Sequence, residues 1–225
     1  VIKPPGRAEA AVLADDLYQD TRSRIAGLVT DATDFERSVP ACPGWSMRDV
    51  VAHMTAVAQD WADRSLTGAP TDEQTAEHVT RFADLDNAQL LGAFAAAADR
   101  LHQLAQSNEL EPPLGDIACH EHDIRAAIDR PGARDSESVR WTAHRLLSML
   151  TSPVPLRVVV EDGEYRSGPH IGHEIVLRTT LFESLRWRTG RRSIAQLARM
   201  DWSADPAPVL NHLRLFGPAT QDVLE

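Results

Sequence analysis

The chain has 225 residues and a net charge of −10 at pH 7, with 43% apolar and 25% charged residues. This composition is typical of a soluble globular protein, and the acidic charge argues against nucleic-acid binding, which needs a basic face toward the phosphates. No apolar run approaches the roughly 20 residues that span a bilayer. The first residues also lack the apolar core of a signal peptide.

The chain contains two cysteines, Cys42 and Cys119. Two cysteines do not make a disulfide framework, so both are expected to be thiols in a reducing compartment. We therefore predict a cytoplasmic protein, present as a monomer or a homodimer, with no nucleic-acid or membrane partner.

Four amphipathic helices are predicted in the first ~130 residues, because apolar residues recur there at helical spacing. They cover residues 9–30, 47–66, 86–107 and 116–128. Ser46 and Asp49 resemble a capping box at the start of the second helix, whose outer face, including Asp60, is predicted to be solvated. The polar stretch up to residue 84 is predicted to be a loop or a short helix. The pattern predicts an up-and-down four-helix bundle, a fold whose core often holds metal ions.

The pattern changes in the last third of the chain. A fifth helix is predicted over residues 139–150, and the β-branched residues 156–160 before a Glu-Asp-Gly turn predict a hairpin. The remaining predicted elements are a strand at 174–178, a helix at 180–189 closed by Gly190, and short helices at 193–200 and 207–213. We therefore predict a mainly α protein with a helical domain, 1–135, and a small α+β domain, 136–225.

Three residues on two of these helices are candidate metal ligands. Asp116 and His120 are four residues apart, which places their Cβ atoms about 6 Å apart on one helix face. His53 lies on the apolar stripe of the second helix. Two histidines and one carboxylate give a three-ligand site with open positions, as in catalytic zinc centres. The alternatives are a core histidine at position 53 and a helix-capping or first-turn carboxylate at position 116.

Neighbouring polar residues on the fourth helix have their own expected roles. Asp123, one turn beyond His120, is placed to orient that imidazole, or else forms a surface or interhelix salt bridge with an arginine such as Arg125. Glu121 is expected to face solvent, and His122 points away from the ligand face. Cys119 is expected to be a buried structural thiol.

A basic group near the end of the chain has two interpretations. Arg186, Arg188, Arg191 and Arg192 are typical of a solvated helix end, where the helix dipole favours cations. Arg191 and Arg192 are also candidates for binding an anionic substrate, because guanidinium groups pair with carboxylates.

Two segments resemble a known family. The segment VPACPGWSMRDVVAH, residues 39–53, resembles the start of the second helix in the mycothiol-dependent maleylpyruvate isomerase family of actinobacteria, part of the DinB-like metalloprotein superfamily. The segment GDIACHEHDIRAA, residues 115–127, resembles its fourth-helix motif. The region from residue 189 to residue 202 resembles the small sterol-carrier-like domain of many members, so the resemblance covers nearly the whole chain.

The resemblance implies a DinB-like bundle with a divalent metal, zinc first and iron or nickel as alternatives. By motif, the ligands fall on His53, Asp116 and His120, although the carboxylate position is usually Glu in the family. It also implies mycothiol as cosubstrate, which a metal holds as a thiolate for attack on an electrophilic small molecule.

The function predicted on this basis is a metal-dependent thiol transferase or isomerase. The isomerases add the thiol, allow rotation about a double bond, and then release the thiol. One alternative is a metal-dependent hydrolase that activates water. Another is a non-catalytic, metal-stabilised bundle that binds a ligand or a partner protein.

Overall fold

The computed structural model describes residues 7–30, 34–107 and 109–225. The chain divides into two compact units, residues 1–131 and residues 132–225. The first unit is built on helices, and the second combines helices with a small sheet. The prediction of a mainly α protein with a small α+β part is confirmed. Within the described residues, no helix combines the length and the hydropathy needed to cross a bilayer.

The helices of the first unit are α1 (Arg7–Thr30), α2 (Met47–Ala62), α3 (Asp72–Thr80), α4 (Asn87–Gln106) and α5 (Leu114–Ala127). The four long helices form the bundle, in which α1 and α2 each pack against both α4 and α5. The short helix α3 packs against α2. It lies in the polar stretch that was predicted to be either a loop or a short helix.

The start of α2 is fixed by the predicted capping box. The Ser46 side chain accepts a hydrogen bond from the Asp49 backbone, and the Asp49 carboxylate accepts one from the Ser46 backbone at 2.8 Å. The preceding turn is closed by the hydrogen bond from the Val39 amide to the Trp45 carbonyl at 2.9 Å. Gly44, with φ of 85°, supplies the left-handed residue in this turn. The capping box and turn therefore determine where α2 begins and position Trp45 just before it.

The helix α5 begins two residues earlier than expected, at Leu114, with Pro113 in the N-cap position. Asp116 is therefore not the cap, and it lies in the first turn, where the helix dipole favours a negative charge. Nearly the whole helix is buried, including His120, Glu121 and Asp123. The expectation that Glu121 faces solvent is wrong, since this residue is 0% exposed.

The second unit contains the helices α6 (Glu137–Ser148), α7 (Leu181–Arg188) and α8 (Ile194–Ala198) and the strands β1 (Leu156–Val160), β2 (Gly163–Ser167), β3 (Ile175–Arg178) and β4 (Asp201–Trp202). The sheet order is β2-β1-β3-β4, with β1 antiparallel to β2 and parallel to β3. The predicted hairpin is confirmed by the β1 and β2 pairing. The strand β4 was not predicted, and the expected helix at 207–213 is only a 3-10 turn, Leu210–His212.

Candidate metal site

Two imidazoles, one from α2 and one from α5, face the same carboxylate. The Nε2 atoms of His53 and His120 lie 3.5 and 3.6 Å from Oδ1 of Asp116. The side chains of His53 and His120 are 5% and 6% exposed, and that of Asp116 is 23% exposed. The structure therefore brings together the three side chains that the sequence singled out, with the carboxylate on the more accessible side.

The spacing of the three donor atoms is compatible with one shared cation. Ligand atoms bound at about 2.0–2.1 Å in a tetrahedral site are separated from one another by roughly 3.4 Å. The donor atoms of His53, Asp116 and His120 all lie within 4.8 Å of one another. Two imidazole nitrogens and a carboxylate oxygen suit zinc and also non-haem iron. The residues present therefore fit a divalent cation.

Asp123 lies behind His120 on the same helix. Its Oδ2 is 2.9 Å from Nδ1 of His120, although the two atoms are not aligned as a straight hydrogen bond. The same oxygen accepts a hydrogen bond from Sγ of Cys42 at 3.4 Å. An ionised carboxylate at this position favours a proton on Nδ1 and leaves Nε2 of His120 bare. Asp123 is 0% exposed, which excludes the surface salt bridge considered for it.

Trp45 forms an aromatic wall over both imidazoles. Its ring centroid lies 5.1 Å from that of His53 and 6.4 Å from that of His120, and its plane is within 21° of the His120 plane. Because the turn before α2 holds Trp45 in place, the segment that starts this helix also covers the site. Cys119, next to His120, is buried as predicted, and neither cysteine forms a disulfide.

The helix α3 contributes a histidine that sequence reasoning missed. Nδ1 of His78 lies 3.4 Å from Nδ1 of His53, and Nε2 of His78 lies 2.9 Å from Oδ2 of Asp60. Both oxygens of Asp60 accept hydrogen bonds from Arg81, at 2.8 and 2.9 Å. Asp60 is therefore part of a partly buried hydrogen-bond network, at 17% side-chain exposure, and the expectation that it belongs to a solvated face is wrong. The available signal was the Thr71 and Gln74 capping box, which marks the start of α3.

The environment of these groups sets their charges. Burial lowers the pKa of His78 below its ordinary value, and the neighbouring His53 lowers it further. Burial alone would raise the pKa of Asp60, but the hydrogen bonds and charge of Arg81, followed by those of His78, hold that pKa below its usual range. At neutral pH His78 is accordingly neutral and Asp60 is ionised.

The opposite face of α5 carries a buried carboxylate with guanidinium partners. Glu121 accepts hydrogen bonds from Arg24 at 2.8 and 2.7 Å and from Arg125 at 3.0 and 2.9 Å. Arg24 comes from α1 and Arg125 from the next turn of α5. This ion-pair cluster joins two helices of the bundle, and it is distinct from the three-residue site.

The basic group at the end of α7 is less exposed than predicted. Arg186, Arg188 and Arg192 are buried, so a solvated helix end is wrong for these three. Arg192 donates to Glu183 at 2.8 and 2.7 Å, and Arg188 donates to two backbone carbonyls while burial lowers its pKa to about 10. Arg191 donates to the Thr189 carbonyl at 2.7 Å. A substrate-binding role for Arg191 and Arg192 stays a prediction.

Comparison with known proteins identifies a family and a fold. Residues 18–185, about three quarters of the chain, match the family described as mycothiol maleylpyruvate isomerase N-terminal domain. This range contains His53, Asp116, His120 and Asp123, and it ends before Arg191 and Arg192. The family resemblance expected from the sequence is thereby confirmed. No curated protein matches the chain.

Two solved structures share the fold. A crystal structure of a mycothiol-dependent maleylpyruvate isomerase matches with a TM-score of 0.52 at 15% identity, over 80% of this chain and 88% of that chain. A crystal structure of a histidine-to-alanine mutant of a mycothiol-dependent maleylpyruvate isomerase matches with a TM-score of 0.52 at 14% identity, over 79% and 88%. At such low identity these similarities concern the fold alone.

Proposed function

The chain belongs to the mycothiol maleylpyruvate isomerase family, and on that premise we propose that it is a metal-dependent enzyme that uses mycothiol to attack an electrophilic small molecule. The reaction is a thiol transfer or a thiol-assisted isomerisation. The observation that carries the proposal is the convergence of Nε2 of His53, Nε2 of His120 and Oδ1 of Asp116 on one point. A reducing, cytoplasmic setting is part of the proposal, because the thiol must stay reduced.

His53, Asp116 and His120 would hold a divalent cation, with zinc as the first choice and iron or nickel as alternatives that suit the same donors. A cation bound there would supply Lewis acidity that lowers the pKa of a thiol, so that mycothiol reacts as a thiolate near neutral pH. The carboxylate of Asp116 would offset part of the charge of such a cation. It is also the most exposed of the three side chains, which marks the side on which the thiol and the electrophile approach.

The surrounding residues have supporting roles in this proposal. Trp45 covers the two imidazoles and limits the access of water on its side. Asp123 keeps the proton of His120 on Nδ1. The shorter side chain at position 116, where the family usually has Glu, still reaches the site, because its oxygen lies within 3.6 Å of both nitrogens.

The proposal is tested with the zinc-loaded chain, mycothiol and three electrophiles: chlorodinitrobenzene, monobromobimane and maleylpyruvate. With chlorodinitrobenzene a C–S bond forms, chloride leaves with its electron pair, and the thiol proton goes to buffer. We expect product formation that requires the metal and is lost in His53→Ala. The matched control is His173→Ala, which removes an exposed histidine of the second unit and should leave the rate unchanged.

Elemental analysis of protein purified without a metal-chelating tag separates the alternatives. Equal metal content in wild type and His53→Ala would show that the proposed ligands are wrong. Metal in the wild type without any mycothiol-dependent product would favour a binding module. Metal-dependent ester hydrolysis in the absence of thiol would favour a hydrolase.

A further inference from the structure

A chain of four polar side chains runs from the edge of the first unit to His53. Arg81 donates to both oxygens of Asp60 at 2.8 and 2.9 Å. Asp60 contacts Nε2 of His78 at 2.9 Å, and Nδ1 of His78 contacts Nδ1 of His53 at 3.4 Å. The inner two residues are buried, with His78 at 0% and His53 at 4% exposure. The chain therefore ends on the ring nitrogen of His53 that faces away from Asp116.

The outer end of the chain determines where each proton lies. Arginine has only donors, so Asp60 accepts its hydrogen bonds. An ionised Asp60 has no proton to give, so the 2.9 Å contact requires a proton on Nε2 of His78. A second proton on His78 would create a fully buried cation next to a carboxylate that Arg81 already balances, which burial opposes.

A neutral imidazole with its proton on Nε2 has a bare Nδ1, which can only accept. His53 must then donate from its own Nδ1, and a neutral His53 with its proton on Nδ1 has a bare Nε2. We infer that His78 is a positioning residue for His53: by accepting the Nδ1 proton, it keeps Nε2 of His53 bare toward Asp116 and His120. This inference rests on the proposed metal site and names a residue beyond its three ligands.

The two imidazoles of the site are thus fixed by different means. His120 has a carboxylate, Asp123, directly behind it, whereas His53 has a second imidazole between itself and Asp60. The separation of 3.4 Å between His53 and His78 is long for a hydrogen bond. The contact therefore selects a tautomer of His53 through a neutral acceptor, whereas His120 has the carboxylate of Asp123 beside it. We expect the effect of losing it to be at the lower end for groups behind metal ligands, about tenfold in affinity.

The first test uses the metal-free chain, so it does not depend on activity. Long-range ¹H–¹⁵N spectra at pH 7.5 report which nitrogen of each imidazole carries the proton, with signals assigned by single histidine substitutions. In wild type we expect the proton on Nδ1 of His53 and on Nε2 of His78. In His78→Leu, His53 should no longer be confined to that form. Absence of a proton on Nδ1 of His53 in the wild type overturns the inference without any variant.

The second test measures zinc affinity of the full chain by competition with a chromophoric chelator. We expect His78→Leu to bind zinc about tenfold more weakly, and His78→Gln, whose carbonyl can accept from His53, to recover part of the loss. His102→Leu is the matched control, because it removes a histidine of α4 that contacts Asp15 at 2.7 Å and should not change the affinity.

The outcomes separate this inference from the proposed function. Equal zinc affinity in wild type and folded His78→Leu overturns the role of His78 and leaves the metal site standing. Absence of zinc binding in wild type overturns the proposed function, while the spectra of the metal-free chain still decide the tautomer of His53. Circular dichroism melting establishes that each variant is folded, and if His78→Leu is not, the wild-type spectra and His78→Gln decide.

Discussion

Two faces of α5 carry buried carboxylates, and the two faces have different partners. On one face Asp116, His120 and Asp123 follow at intervals of four and three residues, and their contacts include the imidazoles of the site. On the other face Glu121 accepts four hydrogen bonds from two arginines. Asp123 and Glu121 are both 0% exposed, so burial alone does not separate a candidate metal site from a structural ion pair.

The difference lies in what each face offers to a ligand. The charge of Glu121 is balanced by two arginines of the protein itself, and these ion pairs stabilise the folded state. The first face presents the imidazole of His120 and the carboxylate of Asp116, and His53 of α2 adds a second imidazole nitrogen, an arrangement suited to a cation from solution. Substitutions on the Glu121 face should therefore lower stability, and substitutions on the other face should lower metal affinity.

The largest expected effect is on stability, at Glu121. Glu121→Ala removes the partner of Arg24 and Arg125, whose side chains are 30% and 15% exposed. Loss of one member of a buried ion pair costs about 3–5 kcal/mol, and we expect about 3 kcal/mol because Arg24 can reach water. Urea unfolding of the metal-free protein measures it. The control Glu109→Ala, in an exposed pair with Arg64, should cost less than about 0.5 kcal/mol; equal losses would contradict the distinction.

The next effect is on metal binding, at Asp116. Asp116→Asn keeps the shape of the side chain but removes the charge, and should weaken zinc binding more than about 100-fold, beyond the range for groups behind the ligands. The unfolding free energy of the metal-free protein should change little. Asp116→Glu keeps the charge and should retain most of the affinity. Isothermal titration with zinc measures all three proteins, and unchanged affinity in Asp116→Asn would exclude Asp116 as a ligand.

A smaller effect is expected at Asp123. Asp123→Asn removes the negative charge that favours the Nδ1 proton of His120, and outer partners of metal-bound histidines typically contribute 10–100-fold in affinity. We expect about 30-fold, more than for His78→Leu, because Asp123 places a carboxylate 2.9 Å from its histidine and His78 offers only a neutral nitrogen. The same titration measures it. A larger loss of zinc affinity in His78→Leu than in Asp123→Asn would contradict this ranking.

The sequence predicted the parts of the site that depend on local spacing. Asp116 and His120 share a helix face because they are four residues apart, however the helix packs in the bundle. The capping box at Ser46 showed where α2 begins. The apolar stripe then turned His53 toward the core. The contact between α2 and α5 could not be predicted from periodicity. Periodicity shows which side of a helix is apolar, but not which other helix packs against that side.

The same limit explains what the sequence missed. Glu121 and Asp60 were placed on solvated faces because charged residues are seldom fully buried without partners. One partner of each lies far away in the chain or on another element: Arg24 is 97 residues from Glu121, and Arg81 is 21 residues from Asp60. The second partner of Glu121, Arg125, is local, but an i,i+4 pair is equally common on a solvated helix face. His78 was missed for this reason as well, since its role appears only when α3 packs against α2.

The smallest expected effect concerns Asp60, which combines both kinds of partner, an arginine and a histidine. Burial would raise the pKa of Asp60, but Arg81 outweighs burial, so the pKa is lowered in the folded state. The carboxylate therefore contributes its full stabilisation above the unfolded pKa of about 3.9, and this contribution is lost as the pH falls through the lower folded pKa. The pair is partly exposed, at 17% and 26%, so Asp60→Asn should cost about 1 kcal/mol at pH 7. Urea unfolding at pH 7, 5 and 3.5 should show this difference unchanged between pH 7 and 5 and smaller at 3.5.

In the control Asp63→Asn, which changes an exposed partner of Arg100, the cost should stay below about 0.5 kcal/mol. A cost at Asp60 that does not change with pH would show that its carboxylate acts through shape, and Asp60 would then not be the ionised end of the chain to His53.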